Sequence, residues 1–392
     1  MTHIRLASFA AAAALMFAAP RQSSPTQPPL QPPFSADVRR GGLVFVPGLL
    51  PQAPLSPSFA TQAAQALDAL QVRLSTDGTT LDRVVSTSVY LADAGDFAAL
   101  NGVWAKHWPS APPARTTVVA RLPLPGARIM ISAVAAGRGA DRTVVHPKGW
   151  ASPAGPLSYA VRTGDTLFLA GLVPRRGVDN ALVKGDIDAQ TNAIFENADA
   201  ILREAGLTLA DVVSARVFIT DGAAFERMNA AYRARFPESP PARATVITPL
   251  VSPDFTIEIT MVAVRGIRRL AVVTPAADGS PGKPNPNLSS AIRVGSQLFL
   301  SGMLGVLPGN ASDAAGQTAE TLNRLERTMA ASGFAWRDVA ESVVYVTDMS
   351  AAADVMKVFA ARADLRMMAG TLVGTGLVSP EGRVEIMLNA MK

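Results

Sequence analysis

The chain has 392 residues, too many for one ordinary core of about 100–200 residues, and its 48% apolar and 17% charged content is that of a globular protein. A formal charge of +5, spread over scattered Lys and Arg without aromatic interleaving, gives no footprint for a nucleic acid. There is no cysteine, and the three histidines are His3, His107 and His146; this excludes thiolates and disulfides and leaves a metal site or a His-centred triad without support.

Residues 1–19 carry one positive charge followed by a short apolar run and read as a secretory signal. The cleavage site is imperfect, with Phe17 at the −3 position and Pro20 following, so an uncleaved anchor or a different start stay open. Residues 20–33 form a Pro-rich tether with nothing to build a core from. The expected location is periplasmic or secreted, with no membrane span once the signal is removed.

Beyond the tether the chain repeats itself. Ser-Ala-Pro-Pro-Ala-Arg ends at Arg115 and Ser-Pro-Pro-Ala-Arg at Arg243, 128 positions on. Gln62, Gln190 and Gln317 form a ladder at nearly the same spacing, as do Asp93, Asp221 and Asp348. Within a copy, glycine-punctuated hairpins come first, at 161–172 and 292–303. A helix with apolar residues near a 3.6 period follows at 187–205 and ends at Gly206. Alternation at 212–220 predicts a strand, and 223–236 a second helix that stops before Pro237. Residues 244–249 and 256–264 read as two closing strands paired with each other. The expected fold class is α+β, three domains at 34–138, 139–267 and 268–392, each a mixed sheet with two helices on one face.

That order of elements, with Pro-Ala-Arg leading into a strand, resembles the Rid (YjgF-type) enamine/imine deaminase family. So do Gly-Pro-Leu-Ser-Tyr-Ala-Val at 155–161 and Ala-Gly-Leu-Val-Pro at 170–174. The resemblance covers nearly all of 34–392 and implies a chorismate-mutase-like fold that normally forms homotrimers with clefts between protomers. Three copies in one chain would then form a monomeric pseudo-trimer about an internal pseudo-threefold axis. The third copy looks degenerate.

The resemblance also implies site residues. The Arg after Pro-Ala grips a substrate carboxylate, a Glu in the last strand handles the water proton, and a Tyr and a Ser line the pocket. Copy one matches with Arg115, Asn101 and Phe34, but has Met130 for the Glu and Pro47 for the Ser. Copy two has Arg243, Glu258 and Asn229, with Leu157 and Ala170 at the Tyr and Ser positions. Copy three keeps Glu385 and Ser301 but has Gly370 for the Arg and Met356 for the Asn. Arg243 and Glu258 are therefore the expected catalytic pair, sharing one cleft within copy two; Arg115, Asn229, Asn101 and Phe34 are expected to bind substrate. The implied reaction is hydrolysis of a small carboxylate-bearing enamine or imine to keto acid and ammonia, without metal or cofactor. A non-catalytic module for a small carboxylate ligand stays open, and a ribonuclease, with no His pair or stacking platform, is the weakest reading.

Overall fold

The structure, a computed structural model, describes Phe34 and residues 37–266 and 268–392. The expected leader and tether lie outside these residues.

In the first repeat, β1 (Val38–Arg40) and β2 (Leu43–Leu49) lead into α1 (Phe59–Thr76), β3 (Val84–Leu91), α2 (Phe97–His107), β4 (Ala114–Val119) and β5 (Ile129–Ala136). The second repeat has β6 (Thr143–Val145), β7 (Ala160–Thr163), β8 (Thr166–Leu169), α3 (Ile187–Glu204), β9 (Val212–Ile219), α4 (Phe225–Arg235), β10 (Ala242–Ile247) and β11 (Ile257–Val264). The third begins with β12 (Leu270–Val272), β13 (Ala291–Val294), β14 (Gln297–Leu300) and β15 (Met303–Leu304). It continues through α5 (Ala314–Ala331), β16 (Val339–Val346), α6 (Ala352–Arg362), β17 (Ala369–Gly374), β18 (Gly376–Leu377) and β19 (Val384–Met391).

The repeats build sheets of one topology: β1-β2-β5-β3-β4, then β6-β7-β8-β11-β9-β10, then β12-β13-β14-β19-β16-β17. All pairs in these runs are antiparallel except β3/β4, β9/β10 and β16/β17, which need a crossover and get it from α2, α4 and α6. The expected pairing of the two closing strands is thereby corrected. β10 and β11 flank β9 on opposite sides, because the crossover through α4 makes β10 parallel to β9 and the loop after it returns the chain on the far side.

Both polar ladders are structural. Gln190 is buried; its side-chain nitrogen donates to Asp254 O at 2.9 Å and its oxygen accepts from Thr256 N at 2.8 Å, tying α3 to the start of β11. Gln62 and Gln317 do the same, accepting from Arg128 N at 2.8 Å and Arg383 N at 2.7 Å. Asp93, Asp221 and Asp348 each accept a backbone N–H two residues on and so start the turn into the second helix.

One sheet face packs under the two helices of its repeat, and residues of the opposite face meet the other repeats. In β9, period two sends Val217 and Ile219 to the helix-side core, while Phe218 joins a cluster with Tyr90 and Val118 of the first repeat and Val343 and Tyr345 of the third. Strands buried on both faces lose polar alternation, which is why they read as nearly continuous apolar runs. Backbone bonds cross the repeats as well: Val119 N donates to Pro249 O, Arg121 and Gly374 exchange a pair, and β18 of the third repeat pairs with β10 of the second. Phe218→Ala removes a ring from the shared cluster and should cost about 3–5 kcal/mol. A denaturant titration in which the variant's midpoint is unmoved would contradict this packing.

Candidate functional site between the first and second repeats

Arg115 is the second residue of β4 and lies only 2% exposed. Its Nη2 donates to Asn101 Oδ1 on α2 at 2.6 Å, and its guanidinium lies over the Phe97 and Trp104 rings at 5.7 and 5.0 Å from their centroids. Nε and Nη1 are buried without partners, so donors are left over for an incoming acceptor. β4 is an edge strand of the first repeat's sheet, and the second repeat docks beside it: Gly171 N donates to Arg115 O at 3.2 Å and Ser158 N to Pro113 O at 3.1 Å.

That docking brings in Glu258, on β11 of the second repeat and also 2% exposed. Thr117 N of β4 donates to its Oε1 at 3.3 Å. A Cβ on Gly171 would stand 1.8 Å from the same oxygen, so only glycine at this position leaves room for the carboxyl. Burial pushes Glu258 up to about 8, against the downward pull of the Thr117 bond and of the Arg115 and Arg216 charges. Burial likewise lowers Arg115 to about 10, with Glu258 opposing. Burial thus favours a protonated carboxyl beside the guanidinium at neutral pH. Arg115 and Glu258 line one cavity of about 280 Å3 with Phe97, Leu157, Tyr159 and Phe255.

The expected pairing of Arg243 with Glu258 is corrected. With β9 between their strands, the two belong to different clefts. Arg243 feels Glu385 of the third repeat instead. There Arg243 Nη2 donates to Asn229 Oδ1 at 2.6 Å, Gly302 N donates to Arg243 O at 3.1 Å, and Arg243 N donates to Ser301 Oγ at 2.7 Å. Burial raises Glu385 to about 8. At both junctions the Arg and Asn thus come from one repeat and the Glu from the next.

Phe34 does not join Arg115. Its ring carbons lie 2.1–2.2 Å from where a Cβ on Gly370 would sit, and its ring meets Phe359 edge-on at 6.4 Å. The junction of third and first repeats has Gly370 for the Arg and Met130 for the Glu, and Phe34 fills the space at Gly370. Sequence reasoning missed Gly171 and Thr117. The recurrence of Gly48, Gly171 and Gly302 after the expected Ser position was the available signal for the first.

These features define a class: a three-repeat α+β chain with a polar cleft completed across a repeat junction. The profile of the family described as Endoribonuclease L-PSP matches residues 25–137, 150–265 and 281–392. The chain belongs to that family, the Rid proteins, as a tandem repeat of three. A RutC family protein of Sulfurisphaera tokodaii is 39% identical over 114 residues, 29% of this chain and 91% of that protein. The 3-aminoacrylate deaminase RutC of Acinetobacter baylyi is 34% identical over 122 residues, 31% of this chain and 97% of its own. A crystal structure of a chorismatase shares the fold at 19% identity with a TM-score of 0.54, covering 79% of this chain and 93% of that one.

A raised carboxyl value has a consequence for stability. Below 4.5, the ordinary value, folded and unfolded chains both hold the Glu258 proton; between 4.5 and about 8 the unfolded chain alone releases it, so the folded state loses stability as pH rises. Glu258→Gln should remove that share. The stability of the variant relative to the parent should climb across this window and then level, measured by denaturant titration at a series of pH values. A difference that stays flat with pH would contradict the buried, protonated carboxyl.

Proposed function

We propose that the cleft between the first two repeats hydrolyses a small carboxylate-bearing imine or enamine to a keto acid and ammonia. The observation that carries this reading is the placement of Arg115, with buried donors to spare, and of Glu258, whose carboxyl burial pushes up to about 8, on one cavity. A planar guanidinium binds a carboxylate by charge-assisted hydrogen bonds, and the aromatic and aliphatic walls keep the reacting carbon out of bulk water. The resemblance to a 3-aminoacrylate deaminase supports the reaction class.

Glu258 gives its proton to the imine nitrogen, and an enamine first accepts that proton at carbon. Water adds to the iminium carbon and returns a proton to the carboxylate. The restored acid then protonates the amine, the hydroxyl proton passes back to the carboxylate, and ammonia leaves as the carbonyl forms. Each Glu258 proton is returned, so the cycle closes on the side chain and water. A pKa near 8 suits a group that must give and take a proton near neutrality.

The absence of hydroxyls at the Tyr and Ser positions, held by Leu157 and Ala170, favours a second reading: a binder of small carboxylates without turnover. The pseudo-threefold arrangement and the monomeric state belong to the same proposal, supported by the shared apolar cluster and by the like bonds at Arg115 and Arg243. Export rests on residues 1–19, and a native N-terminus still at Met1 would count against it.

Ammonia release from 2-iminobutanoate generated in place separates the readings. Glu258→Gln should cut kcat by about a hundredfold or more while 2-oxobutyrate still raises the melting temperature. Arg115→Met should abolish that thermal shift, and Arg243→Met should leave it. Undiminished turnover in the Glu258 variant would overturn the chemistry, and a shift without turnover in the parent would select the binder. Light scattering of the parent should return the mass of one chain; a stable trimer of chains would contradict the internal arrangement.

A further inference from the structure

Two further cations line the Arg115 cavity, and one of them, Arg176, is paired with Asp179. Arg175 follows the Gly171–Pro174 turn and is half-buried on the wall of that cavity. Its side chain and carbonyl are fixed by their neighbours. Its Nη1 donates to Asn180 O at 2.8 Å, its guanidinium lies over the Phe255 ring at 5.5 Å from the centroid, and its carbonyl accepts from the Asn197 side-chain amide at 2.5 Å. The loop that supplies Asn180 O is itself held, because Arg176 N donates to Ala181 O, Asn180 N to Arg176 O, and the Asn180 amide to Ser152 O at 2.7 Å. Among the described residues no carboxylate pairs with Arg175, and its Nε and Nη2 meet no acceptor. That leaves the side of the guanidinium which presents two parallel N–H groups, the geometry that takes a carboxylate in bidentate fashion.

The aligned position in the other repeats is not a cation, although in the third repeat Arg324 of α5, paired with Glu320, donates to the aligned carbonyl, Val306 O, at 3.2 Å. Leu172 pairs with Ile259, and Met303 with Ile386, which aligns Arg175 with Val306; Leu49 pairs with Ile131, which aligns it with Gln52. A cation at this aligned position thus occurs only at the junction where Arg115 and Glu258 share a cavity. The lining of the cavity also includes the apolar side chains of Phe97, Leu157, Val173 and Phe255.

We propose that this cleft selects ligands with two anionic ends, a small dicarboxylate whose second carboxylate is bound by Arg175. The proposal rests on the reading of Arg115 as the first carboxylate site. It makes Arg175 a specificity-determining residue for the substrate class, the imines and enamines of dicarboxylic keto acids, over those of simple aliphatic ones.

Calorimetric titration of the full chain with oxaloacetate, 2-oxoglutarate and 2-oxoadipate, against 2-oxobutyrate, tests this without turnover. At least one diacid should bind about tenfold more tightly than the monoacid, the worth of one charge-assisted hydrogen bond at a partly exposed site. Arg175→Met should erase that preference and leave 2-oxobutyrate affinity unchanged, while Arg175→Lys, which keeps the charge and loses the paired N–H edge, should restore it in part. No preference in the parent, or an equal loss for both ligand types in Arg175→Met, overturns the proposal while leaving the Arg115 site intact. Failure of the parent to bind any probe overturns the Arg115 reading and this proposal with it.

Discussion

The docking of edge strand β4 against the second repeat, fixed by the Gly171–Arg115 backbone bond and by Thr117 N on the Glu258 carboxyl, sets every other feature of the site. An edge strand left open to water would expose unpaired backbone groups, and the neighbouring repeat covers them. Covering them also desolvates the side chains that β4 presents. Taking an ionised Arg and an ionised Glu out of water costs on the order of several kcal/mol each, and the protein meets that cost partly by leaving Glu258 protonated. A carboxyl forced to keep its proton is a proton donor at neutral pH. The chemistry proposed for the cleft is thus a consequence of how the repeats close on one another.

Linking three copies in one chain removes the demand that the junctions be alike. The first pairs Arg115 with Glu258 and has Arg175 on the cavity wall. The second keeps Arg243 bonded to Asn229 and Ser301, with Glu385 near enough for its charge to act on the guanidinium. The third has lost both charges, and Phe34 occupies the space where an Arg side chain would begin at Gly370. The interior shows the same freedom. Ser88, Arg216 and Val343 occupy equivalent strand positions, and Arg216 Nη2 donates to Ser88 Oγ at 2.8 Å. Of these three equivalent positions one carries a guanidinium, one a hydroxyl and one an apolar side chain.

Much of this was legible in the sequence. The ladder of Gln62, Gln190 and Gln317 marked the repeat because a buried glutamine bridging helix and strand cannot be exchanged cheaply. Hairpins and helices fell where glycine turns and apolar periods put them. The partner of each Arg was not legible. Arg243 and Glu258 are 15 positions apart, and closeness in sequence argued for one cleft, whereas β9 between their strands separates them. Which edge meets which neighbour depends on sheet order and on packing between repeats, and no local pattern encodes either. The Arg175 loop was hidden for a related reason, since its charge gains meaning only from an Arg of another repeat on the same cavity wall.

The most direct test of this cross-repeat site is a crystal structure of the chain with 2-oxobutyrate bound. The ligand carboxylate is predicted on Arg115, with the keto carbon facing Glu258 across the junction of the first and second repeats. A ligand held by Arg243 and Glu385 alone, or Arg115 and Glu258 opening into separate cavities, would contradict it.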